Sequence, residues 1–140
     1  MTTQLEHANM NVSSMDQAVR FLTTALPDFQ VRGGGESAGG SRWLHIGTED
    51  TYIALNERAS AAKDAKNTSS GPIKHLGFVV DDADALEQRL TDAGYRQGAI
   101  AQPHPHPHRK RVYFLDNDGG EWEFVQYLSD EPGQRNDYAL

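Results

Sequence analysis

His7, His75 and Glu123 are side chains able to ligate a divalent metal, and each sits in a segment with strand-like alternation. In Leu5–Val12 the apolar set is Ala8, Met10 and Val12, so His7, Asn9 and Asn11 point to the other side. In Lys74–Val80 the apolar set is Leu76, Phe78 and Val80, which turns His75 and Gly77 away from it. In Glu121–Tyr127, Trp122 and Phe124 are apolar and Glu123 faces the opposite way. Two neutral imidazoles and one carboxylate leave a divalent cation with net positive charge and open coordination positions. Such a cation polarises a carbonyl, stabilises an enediolate or, if it is iron, binds oxygen. The three residues are far apart in sequence, and the same pattern also suits ordinary polar positions on half-exposed strands.

Other side chains share these open faces. In the segment Arg42–Ile46, Leu44 and Ile46 suit a core, which puts Trp43 and His45 on the open side. His45 is a candidate general acid or base and Trp43 a candidate substrate contact; a surface histidine near a strand end is the alternative. Arg111 and Tyr113 share a face on the segment before Glu123, where they can hold an anionic group and donate a hydrogen bond. A cross-strand salt bridge with ordinary packing is the alternative there. The run Pro103–Arg111 alternates proline with histidine and ends in basic residues. Its three prolines keep it extended and non-helical, and it reads as a loop ahead of a dedicated metal store for its alternating histidines. Gly33–Gly40 carries neither a dinucleotide nor a P-loop pattern and reads as a mobile glycine flap.

These residues need elements to hold them, and an internal repeat supplies those elements. Shifting the segment that starts at His7 by 68 positions brings it onto the segment that starts at His75 without a gap. Val12 then meets Val80, Asp16 meets Asp84, and Leu22 meets Leu90. In the first copy, Ser14 and Gln17 form a capping-box pattern. Met15, Ala18, Val19, Leu22, Ala25 and Leu26 follow at helical spacing, and Pro27 stops the helix. Strands are expected over Phe29–Arg32, Arg42–Ile46 and Thr51–Glu57. In the second copy, Asp82 caps a helix whose core side holds Ala83, Leu86, Leu90 and Ala93, and Gly94 ends it. Strands follow over Tyr95–Ile100, Arg111–Leu115 and Glu121–Tyr127, the last two joined by the turn Asn117–Gly120. Each unit is therefore strand, helix and three strands, an α+β arrangement. Module one covers about 4–58, a linker about 59–72, module two about 73–128 and a polar, mobile tail 129–140.

Composition narrows the function classes. The chain has 140 residues and no cysteine, which excludes disulfides, thiolate metal sites and a cysteine nucleophile. A net charge of −7 argues against binding nucleic acid through its phosphates. No apolar run is long enough to span a bilayer, and the N-terminus lacks a signal-peptide pattern, so a cytoplasmic protein is expected.

The segments KHLGFVVDDADALEQRL and RVYFLDNDGGEWEFVQY, with the paired units, make the sequence resemble the vicinal oxygen chelate superfamily over about residues 4–128. That superfamily includes glyoxalase I, methylmalonyl-CoA epimerase, extradiol dioxygenases, fosfomycin resistance enzymes and bleomycin resistance proteins. The resemblance implies two βαβββ modules forming a cupped, half-barrel mixed sheet with helices on the outer face. It implies His7, His75 and Glu123 as ligands of a divalent metal (iron, manganese, nickel or zinc), a small-molecule substrate and a homodimer. The fourth ligand of glyoxalase I falls here on Ala54, which cannot bind metal; Glu57 reaches that position only if the strand slips by one residue. The function implied is a glyoxalase-like lyase or isomerase acting on an oxygen-chelating substrate. The alternatives are an iron-dependent extradiol dioxygenase, a fosfomycin-resistance-like transferase, and a metal-free binding protein of the bleomycin-resistance kind.

Overall fold

The computed structural model describes residues 2–61, 73–98 and 104–140. Most of the expected linker lies outside the described residues, as do Ala99 and Ile100 of the expected strand and Pro103 of the histidine tract. The chain divides into two compact units, Met1–Asn67 with Asn117–Gly119, and Thr68–Asp116 with Gly120–Leu140.

The first unit holds β1 (His7–Val12), α1 (Met15–Ala25), β2 (Gln30–Glu36), β3 (Arg42–Gly47) and β4 (Tyr52–Glu57). Its sheet runs in the order β1-β4-β3-β2, with β1 parallel to β4 and the other pairs antiparallel. The second unit holds β5 (His75–Val79), α2 (Ala83–Asp92), β6 (Arg96–Gln97), β7 (Arg109–Leu115), β8 (Glu121–Tyr127) and a short helix α3 (Pro132–Arg135). Its sheet repeats the pattern as β5-β8-β7-β6, with β5 parallel to β8. The α+β fold with two βαβββ units is the one expected.

Each helix covers one face of its own sheet. Met15, Phe21, Leu22 and Ala25 are buried on α1, which packs on β3 and β4 over Ile46, Ile53 and Leu55. Ala83, Leu86 and Leu90 do the same on α2, over Val112, Phe114, Trp122 and Phe124 of β7 and β8. Burying each large side chain is worth roughly 1.5–3 kcal/mol, so these two faces dominate the stability of their units. Both helix starts are capped twice. Ser14 Oγ accepts from Gln17 N at 3.3 Å, and Glu57 Oε2 reaches from β4 to accept from Met15 N at 2.6 Å. Asp82 Oδ1 accepts from Ala85 N at 2.9 Å, and Gln126 Oε1 reaches from β8 to accept from Ala83 N at 3.0 Å. Gly94, at φ +89°, closes α2, with Tyr95 N donating to Leu90 O at 3.0 Å.

The two registers make the units comparable residue by residue. His7 lies opposite Tyr52 and Asn9 opposite Ala54; His75 lies opposite Glu121 and Gly77 opposite Glu123. Tyr52 therefore corresponds to Glu121, and Ala54 to Glu123. Across the next strand pair, His45 meets Ala54 and Tyr113 meets Glu123, while Trp43 meets Asn56 and Arg111 meets Val125. His45 thus corresponds to Tyr113 and Trp43 to Arg111.

The structure corrects several expectations. The glycine flap is not a loop at its start: β2 runs on through Gly33–Gly35, paired with His45, Leu44 and Trp43 of β3. A Cβ on Gly34 would lie 2.9 Å from the Trp43 carbonyl oxygen, and one on Gly35 would lie 3.3 Å from the Trp43 indole nitrogen. Those glycines allow close strand approach, whereas the turn is left to Ser37–Ser41, with Gly40 at φ +81°. The strand expected over Tyr95–Ile100 is confined, among the described residues, to Arg96–Gln97. The polar tail makes contacts within its own unit. His106 Nε2 is 2.9 Å from Asp137 O, and Arg109 and Arg135 lie over the rings of Tyr138 and Tyr127. The first-unit strand β4 does not slip, and Glu57 points to the helix side, where it caps α1.

Candidate functional site

The open face of the second sheet carries a row of polar side chains. Burial aside, the Tyr113 hydroxyl lies within the influence of Glu123, which raises its pKa, and of Arg111, which opposes that shift. Glu123 Oε2 lies 2.8 Å from His75 Nε2, and the Tyr113 ring stands edge-on to the His75 ring at 5.7 Å. Three neighbouring strands, β7, β8 and β5, supply these four residues because alternate positions on each project to the same face. Burial, then the hydrogen bond to Glu123, pushes the Tyr113 hydroxyl up to about 12. Tyr113 is therefore a proton-bearing donor at neutral pH and not a base. Arg111 donates to the His104 carbonyl at 3.0 Å, which anchors its guanidinium beside the histidine tract.

His75 and Glu123 fit a divalent cation. Two donors at metal–ligand distances of about 2.1 Å, placed side by side at a right angle, stand about 3 Å apart. The observed 2.8 Å between Nε2 and Oε2 is close to that separation. The pair brings together one borderline nitrogen and one hard oxygen, a donor set that accepts zinc, manganese, nickel or iron. Among the described residues, no three His, Asp or Glu side chains gather into a complete metal-holding group.

His7, the third residue of the expected set, belongs to the first unit. There it stacks on Tyr52 at 4.9 Å between ring centres, and its Nδ1 lies 3.0 Å from Glu6 Oε1. Tyr52 stacks in turn on His45 at 4.7 Å, and Trp43 stands edge-on to His45 at 5.2 Å. Arg32 lies over the Tyr52 ring at 4.4 Å. His45 and Trp43 thus share the open face, as alternation requires, within a row of rings. Hydrogen bonds from His7 and Tyr52 hold the Glu6 carboxyl below its usual range. Desolvation, then the Glu6 contact, raises Tyr52.

Four side chains at these sites escaped the sequence reading: Glu121, Glu6, Tyr52 and Arg32. Glu121 lies two residues before Glu123, on the same face, and was available to the same alternation rule. Its side chain is only 7% exposed and its Oε1 lies 3.4 Å from His75 Nδ1.

The histidine tract does not gather its rings around one point. His104 Nδ1 is 2.9 Å from the Pro105 carbonyl, and His106 Nδ1 accepts from His108 N at 3.1 Å. A cavity of about 360 Å³ opens beside it, lined by His104, His106, Arg109, Lys110, Arg111 and Tyr113 among others. Its volume suits a small molecule.

With fold and site in place, the sequence matches the Glyoxalase/Bleomycin resistance protein/Dioxygenase superfamily over residues 4–124, and the chain belongs to that superfamily. No curated protein matches the sequence. Among solved structures, a glyoxylase/bleomycin resistance protein/dioxygenase domain from Frankia sp. EAN1pec superposes with a TM-score of 0.75 at 21% identity, covering 98% of this chain and 100% of that one. A variant of the fosfomycin resistance protein FosX from Listeria monocytogenes, complexed with Mn(II) and 1S,2S-dihydroxypropylphosphonic acid, gives 0.69 at 17% identity, covering 98% and 100%. TnmS3, an antibiotic binding protein from Streptomyces sp. CB03234, gives 0.64 at 21% identity, covering 90% and 97%. At these identities the likeness is one of fold. Among the described residues, no helix is long and apolar enough to cross a membrane.

Proposed function

We propose that this chain is a divalent-metal-dependent enzyme acting on a small anionic molecule with adjacent oxygens, by lyase or isomerase chemistry. The row Arg111, Tyr113, Glu123 and His75 on one face of the second sheet, with His75 Nε2 2.8 Å from Glu123 Oε2, carries this reading. His75 Nε2 and Glu123 Oε2 would hold the metal, with His7 as the third donor the family resemblance implies. The metal's contribution would be Lewis-acid polarisation of the substrate oxygens. Arg111 then binds the anionic group, helped by the basic lining of the neighbouring cavity. Tyr113 keeps its proton at neutral pH and donates a hydrogen bond to an oxygen that gains charge. His45 is the proposed acid–base residue and Trp43 a substrate contact. FosX, complexed with Mn(II), shows that the fold holds such a metal in another protein, and a fosfomycin-type reaction is the next alternative.

The test is calorimetric titration of Mn(II) and Zn(II) into the protein and its His75→Ala, Glu123→Gln and His7→Ala variants. The expected result is about one ion per chain, with binding lost in the first two variants and weakened in the third. Turnover of α-hydroxycarbonyl compounds and epoxyphosphonates should then require the ion. A wild-type protein that binds no metal overturns the proposal.

A second reading rests on the ring row His7–Tyr52–His45–Trp43. Stacked rings on an open face suit a flat conjugated ligand, and TnmS3 is an antibiotic binding protein of this fold. Quenching of Trp43 fluorescence by planar antibiotics in metal-free protein would favour that reading. A cytoplasmic homodimer completes the proposal, and sedimentation velocity tests the dimer.

A further inference from the structure

We propose that Glu121 is the positioning carboxylate of His75, holding its ring so that Nε2, and not Nδ1, is presented beside Glu123. The inference rests on the metal reading of the His75–Glu123 pair. An imidazole that gives one nitrogen's lone pair to a metal must carry its proton on the other nitrogen, and that N–H needs an acceptor. Nε2 is the nitrogen beside Glu123, at 2.8 Å. Nδ1 is buried and makes no hydrogen bond. Glu121 Oε1 is the carboxylate oxygen that faces it, 3.4 Å away. A shift of a few tenths of an ångström turns that approach into a charge-assisted hydrogen bond.

The carboxylate is well placed to stay there. The Glu121 side chain is almost fully buried. The Gly98 backbone closes over it so tightly that a Cβ on Gly98 would lie 2.8 Å from Glu121 Oε2 and 3.0 Å from Tyr113 Cβ. The first unit has the same relation from a different residue: Glu6 Oε1 lies 3.0 Å from His7 Nδ1. Both histidines of the expected ligand set therefore have a carboxylate on the Nδ1 side, which leaves Nε2 as the donor in each. Glu6 is exposed and Glu121 is buried, so the second unit's contact is the stronger lever.

The experiment compares wild type with Glu121→Ala, Glu121→Gln and Gly98→Ala. The last keeps the carboxylate but forces it to move. Mn(II) and Zn(II) affinities are measured by calorimetry, and the His75 ring is followed by two-bond proton–nitrogen NMR of histidine-labelled protein. The expected result is a loss of about 10- to 100-fold in affinity for Glu121→Ala. A smaller loss is expected for Glu121→Gln, whose amide oxygen still accepts. Zn(II)-loaded wild type should show His75 protonated at Nδ1, with a slowly exchanging proton that Glu121→Ala and Gly98→Ala lose. If Glu121→Ala does not fold, Glu121→Gln and Gly98→Ala decide the matter. Unchanged affinity and an unchanged Nδ1 proton in the variants overturn the role of Glu121 and leave the metal site standing. A wild type that binds neither ion overturns both.

Discussion

Ala54 stands in the first sheet where Glu123 stands in the second: each is the third residue of its strand and lies opposite the third residue of the unit's first strand. The fold thus offers two equivalent places for a carboxylate and fills one. Ala54 is 4% exposed, beside His45 across the strand pair.

Restoring that carboxylate has a calculable consequence. Ala54→Glu should lower the metal-free stability by roughly 1–3 kcal/mol, because a polar group is buried without a partner. Saturating Mn(II) should return much of the loss if the new carboxylate joins a metal. Thermal melts with and without Mn(II) measure both effects; a melting temperature indifferent to the ion would place Ala54 away from any metal.

Tyr113 should titrate late. Its hydroxyl is pushed up to about 12 from the ordinary tyrosine value of 10.0. The contribution of the neutral, hydrogen-bonded phenol to stability is complete below pH 10 and is lost as the pH rises toward about 12. Tyrosinate absorbance followed by pH jump should show a high-pH step missing from Tyr113→Phe. An identical titration curve in the two proteins would contradict the Glu123 hydrogen bond.

The glycine strand separates two kinds of glycine. Gly34→Val drives a side chain toward the Trp43 backbone carbonyl and should cost about 1–3 kcal/mol. Gly33→Val meets no atom within 4 Å and should be near neutral or slightly stabilising. Urea denaturation of the two variants decides it, and equal losses would mean that close approach of β2 to β3 is not what selects glycine.

The cross-element caps are a fourth test. Glu57→Ala and Gln126→Ala should each cost about 0.5–2 kcal/mol, as other lost helix caps do. Amide exchange should quicken chiefly at the start of α1 in the first variant and of α2 in the second. Uniform exchange changes along the chain would show that these side chains do something other than cap.

Much of this was legible from alternation. Period-two patterns place His7, His75, Glu123, Trp43, His45, Arg111 and Tyr113 on the open faces where the registers put them. Ser14, Asp82 and Gly94 mark helix ends through local chemistry alone. The misses have a common cause. Gly33–Gly35 has no side chains to alternate, so only the pairing with β3 reveals a strand. Glu57 and Gln126 look like surface residues until the helix starts they cap are brought to them from 42 and 43 positions away. Glu121 differs: alternation gives both carboxylates of β8 the same face, and only the pairing with β5, which sets Glu121 opposite His75, tells them apart.

The shared register of the two sheets also gives the molecule an internal reference standard. Tyr52 and Glu121, His45 and Tyr113, and Trp43 and Arg111 are matched positions that carry different chemistry on the same backbone frame. A substitution made in one half therefore has its control built into the other. Exchanging the members of a matched pair would tell the demands of the scaffold apart from those of the ligand, within a single polypeptide.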